Sequence, residues 1–394
     1  MTTDLLFQLA VSVVIQVFVW CGFHFAVKLA PPTTVLGVRV PRSKQRNPHV
    51  LVTRGRFYQR QTRVLIFAVL ALVAVAVWGT VNQLTALSVV LPLLAVIVGL
   101  TSWISGRHHL IAIKQSENWF EGETTSVTGL VSASPRSPER TPEQRERLSP
   151  SAVSYPHPAY PWYALALLPM AASAAILALH WSEIPQTIPT HFDGSGNPDA
   201  WSDKSVGSVL MGVILAAVLV GGFFLFSAVM PRLSSRLRSD VSPAGKARTL
   251  ASLSASQLGL GVMAFTLSLF VSGISVFTAL PGLMEHAIIF LSAGIIGVLL
   301  VAGWMIWLVY FRTSRVDRDR RAGRYGPEPA EGLDNDEHYK WGLFYCNPDD
   351  PAVLVEKRSG VGMDFNYARW QGQAFLVVIV TMIVAVIGIP LLFG

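Results

Sequence analysis

The sequence predicts an all-α integral membrane protein of about eight transmembrane helices, with a small cytoplasmic β-hairpin segment towards its end. Three observations carry that prediction. Charged residues make up only 14% of the 394, hydrophobic ones 52%, and the mean hydropathy is +0.46, whereas a soluble domain carries about 25% charge. Eight apolar runs are long enough for a ~30 Å hydrocarbon core, which takes about 20 residues of helix. The Lys and Arg residues, finally, fall in alternate connections: 30 of the 31 lie in those that follow the first, third, fifth and seventh runs. Since cytoplasmic loops collect Lys and Arg, both termini are expected outside the cytoplasm, with an even number of spans between them.

The first run, Leu5–Val27, lacks a basic leader and a small-residue cleavage site before Lys28, so it reads as a span rather than a signal peptide. Val64–Val81 and Ala86–Ser105 complete a three-span unit over residues 1–115. Between the first two runs, Thr33–Val40 is β-branched and suits a short extended piece. His49–Arg63 suits a basic interfacial helix with Phe57 and Tyr58 at headgroup level. Residues 116–160, rich in Ser, Pro, Thr, Glu and Arg from Glu121 to Pro158, carry too little apolar surface to offset the entropy of ordering them, and form a disordered linker. Pro161–His180, Ser205–Met230, Ala251–Phe277 and His286–Phe311 make a four-span unit over 161–311; Gln373–Phe393 is the last span, within 373–394.

In residues 312–372, two strand-like runs, Trp341–Cys346 and Ala352–Glu356, flank Asn347-Pro348-Asp349-Asp350-Pro351. Proline presets φ, and Asn and Asp side chains bond their own backbone, so the pentapeptide reads as a turn closing a hairpin. Trp341, Phe344, Tyr345 and Val353 would pack it. With Asn347, Asp349 and Asp350, Trp341 and Tyr345 form the expected cytoplasmic contact surface.

The outward loop 181–204 concentrates two Trp, four carboxylates, three Pro and two Gly beside His191, with His180 just before it. Pro185 and Pro189 favour extended backbone, Asp193-Gly194-Ser195-Gly196 a tight turn and Asn197-Pro198 a second one. The loop is therefore expected to pack as a rigid cap, with Trp181 and Trp201 at the interface. A divalent metal on His191, Asp193, Asp199, Asp203, His180 and His286 matches no standard spacing, and Ser195 lacks the context of a nucleophile elbow. No metal, cofactor or catalytic residue is assigned. Two cysteines exclude a disulfide scaffold and a cysteine zinc cage. An isoelectric point near 9.6 follows from topology and an anionic leaflet, without nucleic acid as a partner.

The run Ile188-Pro189-Thr190-His191-Phe192-Asp193-Gly194-Ser195-Gly196-Asn197-Pro198-Asp199-Ala200-Trp201, then Lys204, resembles the signature loop of the bacterial SdpI-type membrane proteins. The pattern IPxHxxxxGxPDxW followed by Lys is met at Ile188, Pro189, His191, Gly196, Pro198, Asp199, Trp201 and Lys204. The likeness covers about a quarter of the chain. The segment around Asn347–Pro351 separately resembles a short domain of uncharacterised multi-pass bacterial proteins, so the chain looks like a subfamily with a long N-terminal extension. The resemblance implies immunity or signalling towards a secreted antimicrobial peptide or envelope stress, in the plasma membrane of a bacterium; a membrane-embedded enzyme is not expected, since no acid–base or metal pair can be placed within the bilayer. Ligand contacts would then fall on His191, Asp193, Asp199, Trp201 and Lys204. The lipid bilayer, an extracellular peptide and a cytoplasmic transcriptional regulator are the implied partners. The alternative is a small-molecule transporter or permease component. Coupling sites want ionisable residues in mid-membrane, and the spans offer only Gln8, Gln16, His24, Gln257 and hydroxyls.

Overall fold

The computed structural model describes residues 3–121, 125–126, 156–192, 198–236, 243–325, 331–332, 334–358, 363–377 and 380–381. Among them are seven helices long and apolar enough to cross a membrane. In chain order the helices are α1 Thr3–Leu29, α2 Pro48–Trp78, α3 Val81–Ser116, α4 Tyr160–Leu179, α5 Val206–Val209, α6 Met211–Arg236, α7 Pro243–Ala279, α8 Pro281–Met284 and α9 Ala287–Arg321. The expected eighth span lies mostly outside the described residues, of which 370–377 are helical. Most of the expected linker lies outside them too; its Thr125–Ser126 (β3) pairs in parallel with Glu331–Gly332 (β6).

Several helices outrun the apolar stretches that announce them, because apolar length matches a hydrocarbon core rather than a helix. The expected interfacial helix His49–Arg63 is simply the first half of α2. Asn47 caps it by accepting from the His49 amide at 2.9 Å, Pro48 occupies the first turn, and nothing interrupts the helix before Gly79. Phe57, expected to face the headgroups, is buried against the bundle and meets Trp103 edge to face at 6.0 Å. Thr80 and Gln83 then form a reciprocal capping box that starts α3.

The second body is organised around α7, whose buried residues are mostly small: Ser252, Ala255, Ser256, Gly259, Ala264, Ser268 and Ser272. Small side chains let helices approach closely, and hydroxyls add interhelical bonds. Ser272 pairs with Ser173 of α4 at 3.2 Å, and Ser275 accepts the Gly212 amide at the start of α6 at 2.9 Å. Gln257 donates to the Ser227 carbonyl at 2.8 Å. On another side of α7, Gly294 of α9 lies against the Phe270 ring with no room for a Cβ.

The two bodies meet where α9 runs along α1, with Phe25 and Tyr310 in ring contact at 5.3 Å. Arg248 of α7 locks the junction, donating to the Leu29 carbonyl at 2.6 Å and pairing with Asp317 of α9 at 3.3 Å. This end of the bundle also holds the ends of α1, α3 and α9 and the starts of α2 and α7; it is the basic end.

Candidate functional site

Two built structures flank the bundle, one at each end. At the end opposite the basic one, Thr187–Phe192 (β4) and Pro198–Asp203 (β5) pair antiparallel, with a register shift around His191. Ile184 and Ile188 sink into a core with Leu177 of α4, Val209 of α5 and Val276 and Ala279 of α7. Ser205 and Ser208 form a capping box that turns the chain into α5. The expected cap is thus a cored hairpin seated on α7.

The sequence-predicted ligand residues do not share one role. Lys204 is turned into the cap: its ammonium donates to the carbonyls of Trp181 at 2.5 Å and Ile184 at 2.8 Å and lies 5.1 Å from the Trp181 ring. Charge-assisted bonds of this kind are the stronger ones, so this lysine ties the far strand to the helical turn that follows α4. Trp201 is 55% exposed and sits across from Pro189, and Asp199 is exposed. His191 is placed by its backbone in β4, opposite Ala200. Asp193 lies outside the described residues, as do Gly194–Asn197. His180 turns back on the Ile176 carbonyl at 3.0 Å, and His286 stands beside Glu285 at 3.6 Å. Among the described residues no three His, Cys, Asp or Glu gather as metal ligands.

At the basic end, Thr34–Val35 (β1) and Val38–Arg39 (β2) form a hairpin whose turn residues Leu36 and Gly37 have φ of 48° and 71°. Tyr339–Lys340 (β7) and Phe344–Tyr345 (β8) form another, with Trp341 and Gly342 at 53° and 73°. Positive φ at both central residues marks the type I′ turn that suits strand twist. The two turns touch back to back. A Cβ on Gly37 would stand 2.5 Å from the Gly342 carbonyl oxygen, which glycine alone permits.

Helix α3 grips both hairpins with one face, through Trp103, Arg107, Leu110 and Lys114, spaced as helical neighbours. Trp103 donates to the Trp341 carbonyl at 3.1 Å. Arg107 bonds the Gly37 carbonyl in one hairpin, and the Asp336 and Tyr339 carbonyls, each at 3.0 Å, in or beside the other. Lys114 pairs with Asp334 at 2.5 Å and Asp336 at 2.6 Å. The Asp336 carboxylate also accepts from the Arg39 amide at 3.0 Å and pairs with Arg358, which stacks 4.3 Å from the Tyr339 ring. Burial pushes the Arg358 guanidinium below its ordinary pKa, with Asp336 opposing the shift.

The hairpin expected across Asn347–Pro351 is not formed. Each strand-like run instead pairs away from that turn: β8 pairs back to β7, and Leu354–Glu356 (β9) pairs forward to Met363–Phe365 (β10). The pentapeptide is the bend between two hairpins, because Trp341-Gly342 supplies a tighter turn upstream. Its own turn chemistry is as expected: Asn347 accepts from the Asp349 amide at 3.0 Å and Asp350 from the Ala352 amide at 2.9 Å. Fully buried Asn366 holds the bend, accepting from the Asn347 and Ala368 amides, each at 3.1 Å, and donating to the Asn347 carbonyl at 2.8 Å. Arg369 clamps the Asp350 carbonyl at 2.6 Å. Tyr345 is buried and donates to Asp350 at 2.9 Å; burial, with that acceptor, pushes its hydroxyl up to about 12. Trp341, expected to pack the hairpin, is 58% exposed: the strained turn it occupies points it outward, and its carbonyl is what α3 uses.

Arg107, Lys114, Asp336, Arg358 and Asn366 were not singled out by sequence. The spacing of Trp103, Arg107, Leu110 and Lys114 was the available signal, but in a chain whose basic residues mark topology it reads as a loop-proximal charge run.

Two family models match parts of the chain, and each covers one of these structures. A domain of unknown function, DUF1648, matches residues 168–216, which include the cap. A family of unknown function, DUF5808, matches residues 348–373, which include the bend, β9, β10 and Asn366. No curated protein and no solved structure matches the chain.

Proposed function

We propose that this chain is a non-catalytic multi-pass protein of a bacterial plasma membrane, with both termini outside, that confers immunity or signals towards a secreted antimicrobial peptide or envelope stress. The observation that carries the reading is the cap. It is a cored hairpin, anchored from within by Lys204, that leaves the Trp201 indole and the Asp199 carboxylate on its outer surface. An exposed aromatic beside a charge on a rigid support is the composition of a recognition surface. In this reading the peptide meets the cap, and the module of paired hairpins at the basic end, in the cytoplasm, meets a transcriptional regulator. Helix α7 contributes to the cap core at Val276 and Ala279 and to the basic-end junction at Arg248, so it runs from one to the other.

The test is survival of cells exposed to secreted antimicrobial peptides, read beside membrane abundance, for Trp201→Ala, Asp199→Ala and His191→Ala. Protection lost at normal abundance supports recognition by the cap. Protection that follows abundance at every position reduces the cap to a scaffold. A transporter or permease component is the second reading, favoured by Gln16 of α1: its side-chain amide is buried with no hydrogen-bond partner among the described residues, although such groups in hydrocarbon cost several kcal/mol when unsatisfied. Gln16→Leu separates the two. A transport path through α1 predicts lost protection at undiminished abundance, whereas a receptor is indifferent to the change.

A further inference from the structure

Between the basic-end halves of α2 and α3 runs a groove of about 790 Å³, a volume within the ordinary range of ligand pockets. Its lining changes character along its length. Arg56, Arg60 and Arg63 of α2, with Ser105 and His109 of α3, line one end. Phe67, Leu91, Leu94, Ala95 and Val98 line the other. The arginines stand at i, i+4 and i+7, so they share one helix face. All three are exposed, and among the described residues no carboxylate pairs with any of them. Arg60 reaches across to the Ser102 hydroxyl at 3.3 Å, which places its guanidinium over the cleft between the helices.

Depth along the helix matches this change of character. At 1.5 Å per residue, Arg63 lies about 22 Å, Arg60 about 27 Å and Arg56 about 33 Å along α2 from Trp78 at the other end. The three arginines therefore straddle the level at which a ~30 Å hydrocarbon core gives way to headgroups, while Phe67, Leu94 and Val98 lie at acyl depth. The combination of three uncompensated guanidinium groups, a cleft and an apolar floor fits one molecule chemistry, an anion joined to a hydrocarbon tail.

We propose that this groove is a site for a single anionic phospholipid, its phosphate held by Arg56, Arg60 and Arg63 and one acyl chain laid along Phe67, Leu94 and Val98. Basic pockets between membrane helices hold anionic headgroups in this way, and planar guanidinium forks match phosphate oxygens. The proposal is independent of what the cap recognises. It makes the lipid a wedge between α2 and α3, the helices that carry the paired-hairpin module.

The test uses the full chain, purified in detergent, with native mass spectrometry of bound lipid during titration with phosphatidylglycerol or with phosphatidylcholine of the same acyl chains. The expected result is one tightly held phosphatidylglycerol and weak phosphatidylcholine binding. Each basic residue near an anionic headgroup is worth roughly fivefold, so R56Q/R60Q/R63Q should weaken the phosphatidylglycerol site by roughly 100-fold. The charge-matched control R46Q/R318Q/K340Q alters three exposed residues outside the groove and should change it by less than about threefold. Val98→Trp keeps every charge and fills the apolar floor, and it too should weaken the site by about tenfold or more. Should the triple variant fail to accumulate, Val98→Trp and the single Arg→Gln changes decide. Equal losses in the groove and control triples, equal binding of the two lipids, or undiminished binding in Val98→Trp would each overturn the proposal.

Discussion

Asp336 is the most exacting test of how the module at the basic end is held. Its carboxylate is 11% exposed and faces Lys114 and Arg358, whose side chains are 7% and 6% exposed. It also accepts the Arg39 amide, so it joins β2, α3 and the segment leading into β7. In Asp336→Asn an acceptor survives but the charge does not, and two buried cations are left with Asp334 alone. Breaking a buried pair in this way costs about 3–5 kcal/mol, because the stranded charge keeps its desolvation penalty. The helices do not depend on that carboxylate, so the loss should appear as local opening of residues 336–346. Hydrogen exchange reads it at the Cys346 amide, which bonds the His338 carbonyl at 2.8 Å in the native state. Opening should become roughly 150- to 5,000-fold more frequent, while amides within α2 and α3 keep their protection. Adding Arg358→Met removes one stranded charge and should restore part of the loss. If Cys346 exchanges within about threefold of wild type in Asp336→Asn, the carboxylate is not the tie, and the docking rests on the apolar contacts of Val38, Trp103 and Leu110 instead.

Lys204→Met should destabilise the cap by about 2–4 kcal/mol, as two charge-assisted bonds and a cation–π contact disappear from a half-buried site, whereas Trp201→Ala should cost less than about 1 kcal/mol. Thermal unfolding of the purified protein compares them, and the reverse order would exchange their roles. Gly37→Ala should undock the two hairpins at a cost of more than about 2 kcal/mol, whereas Gly323→Ala, at φ of 76° with open space around it, should cost only about 1 kcal/mol; limited proteolysis near Trp341 distinguishes them. Asn366→Ala should leave two amides without their acceptor and the Asn347 carbonyl without a donor, for about 3 kcal/mol. Cleavage between Asn347 and Ala352 should then accelerate, and an unchanged cleavage rate would show that Arg369 holds the bend unaided.

Much of the architecture was legible because its signals are local. Apolar length announces a span wherever the partner helix lies, and the Pro and Asn chemistry of residues 347–351 makes a turn in any context. What failed was the step from turn to pairing. A strand beside a turn is expected to pair across it, but Phe344 and Tyr345 have a closer partner behind Trp341-Gly342, a turn outside the usual Asn-Gly and Asp-Gly signals. Lys204 was legible as part of a motif and not as a clamp. Its role depends on the carbonyls of Trp181 and Ile184, which only the hairpin brings within reach. Asp336 was invisible for a related reason. Its partners lie 222 residues upstream at Lys114 and 22 downstream at Arg358, and no spacing rule connects them.

The basic residues at one end are not all explained by orientation. A residue that only sets orientation needs to stand near the membrane surface with its charge in water, and long side chains do so without constraint. Arg46, Arg318 and Lys340 are of that kind. Arg107, Lys114, Arg248 and Arg358 are not, for each gives up solvation to reach carbonyls or carboxylates on other elements. Desolvation on that scale is offset only where the partners are fixed, so these four make the module and the inter-body junction specific rather than merely basic. Arg56, Arg60 and Arg63 belong to neither class. They are exposed like the first group, yet they share one helix face above a cleft, and no carboxylate of the described residues answers them. A chain that pairs its buried cations this thoroughly leaves three together at headgroup depth where the bilayer itself carries the counter-charge.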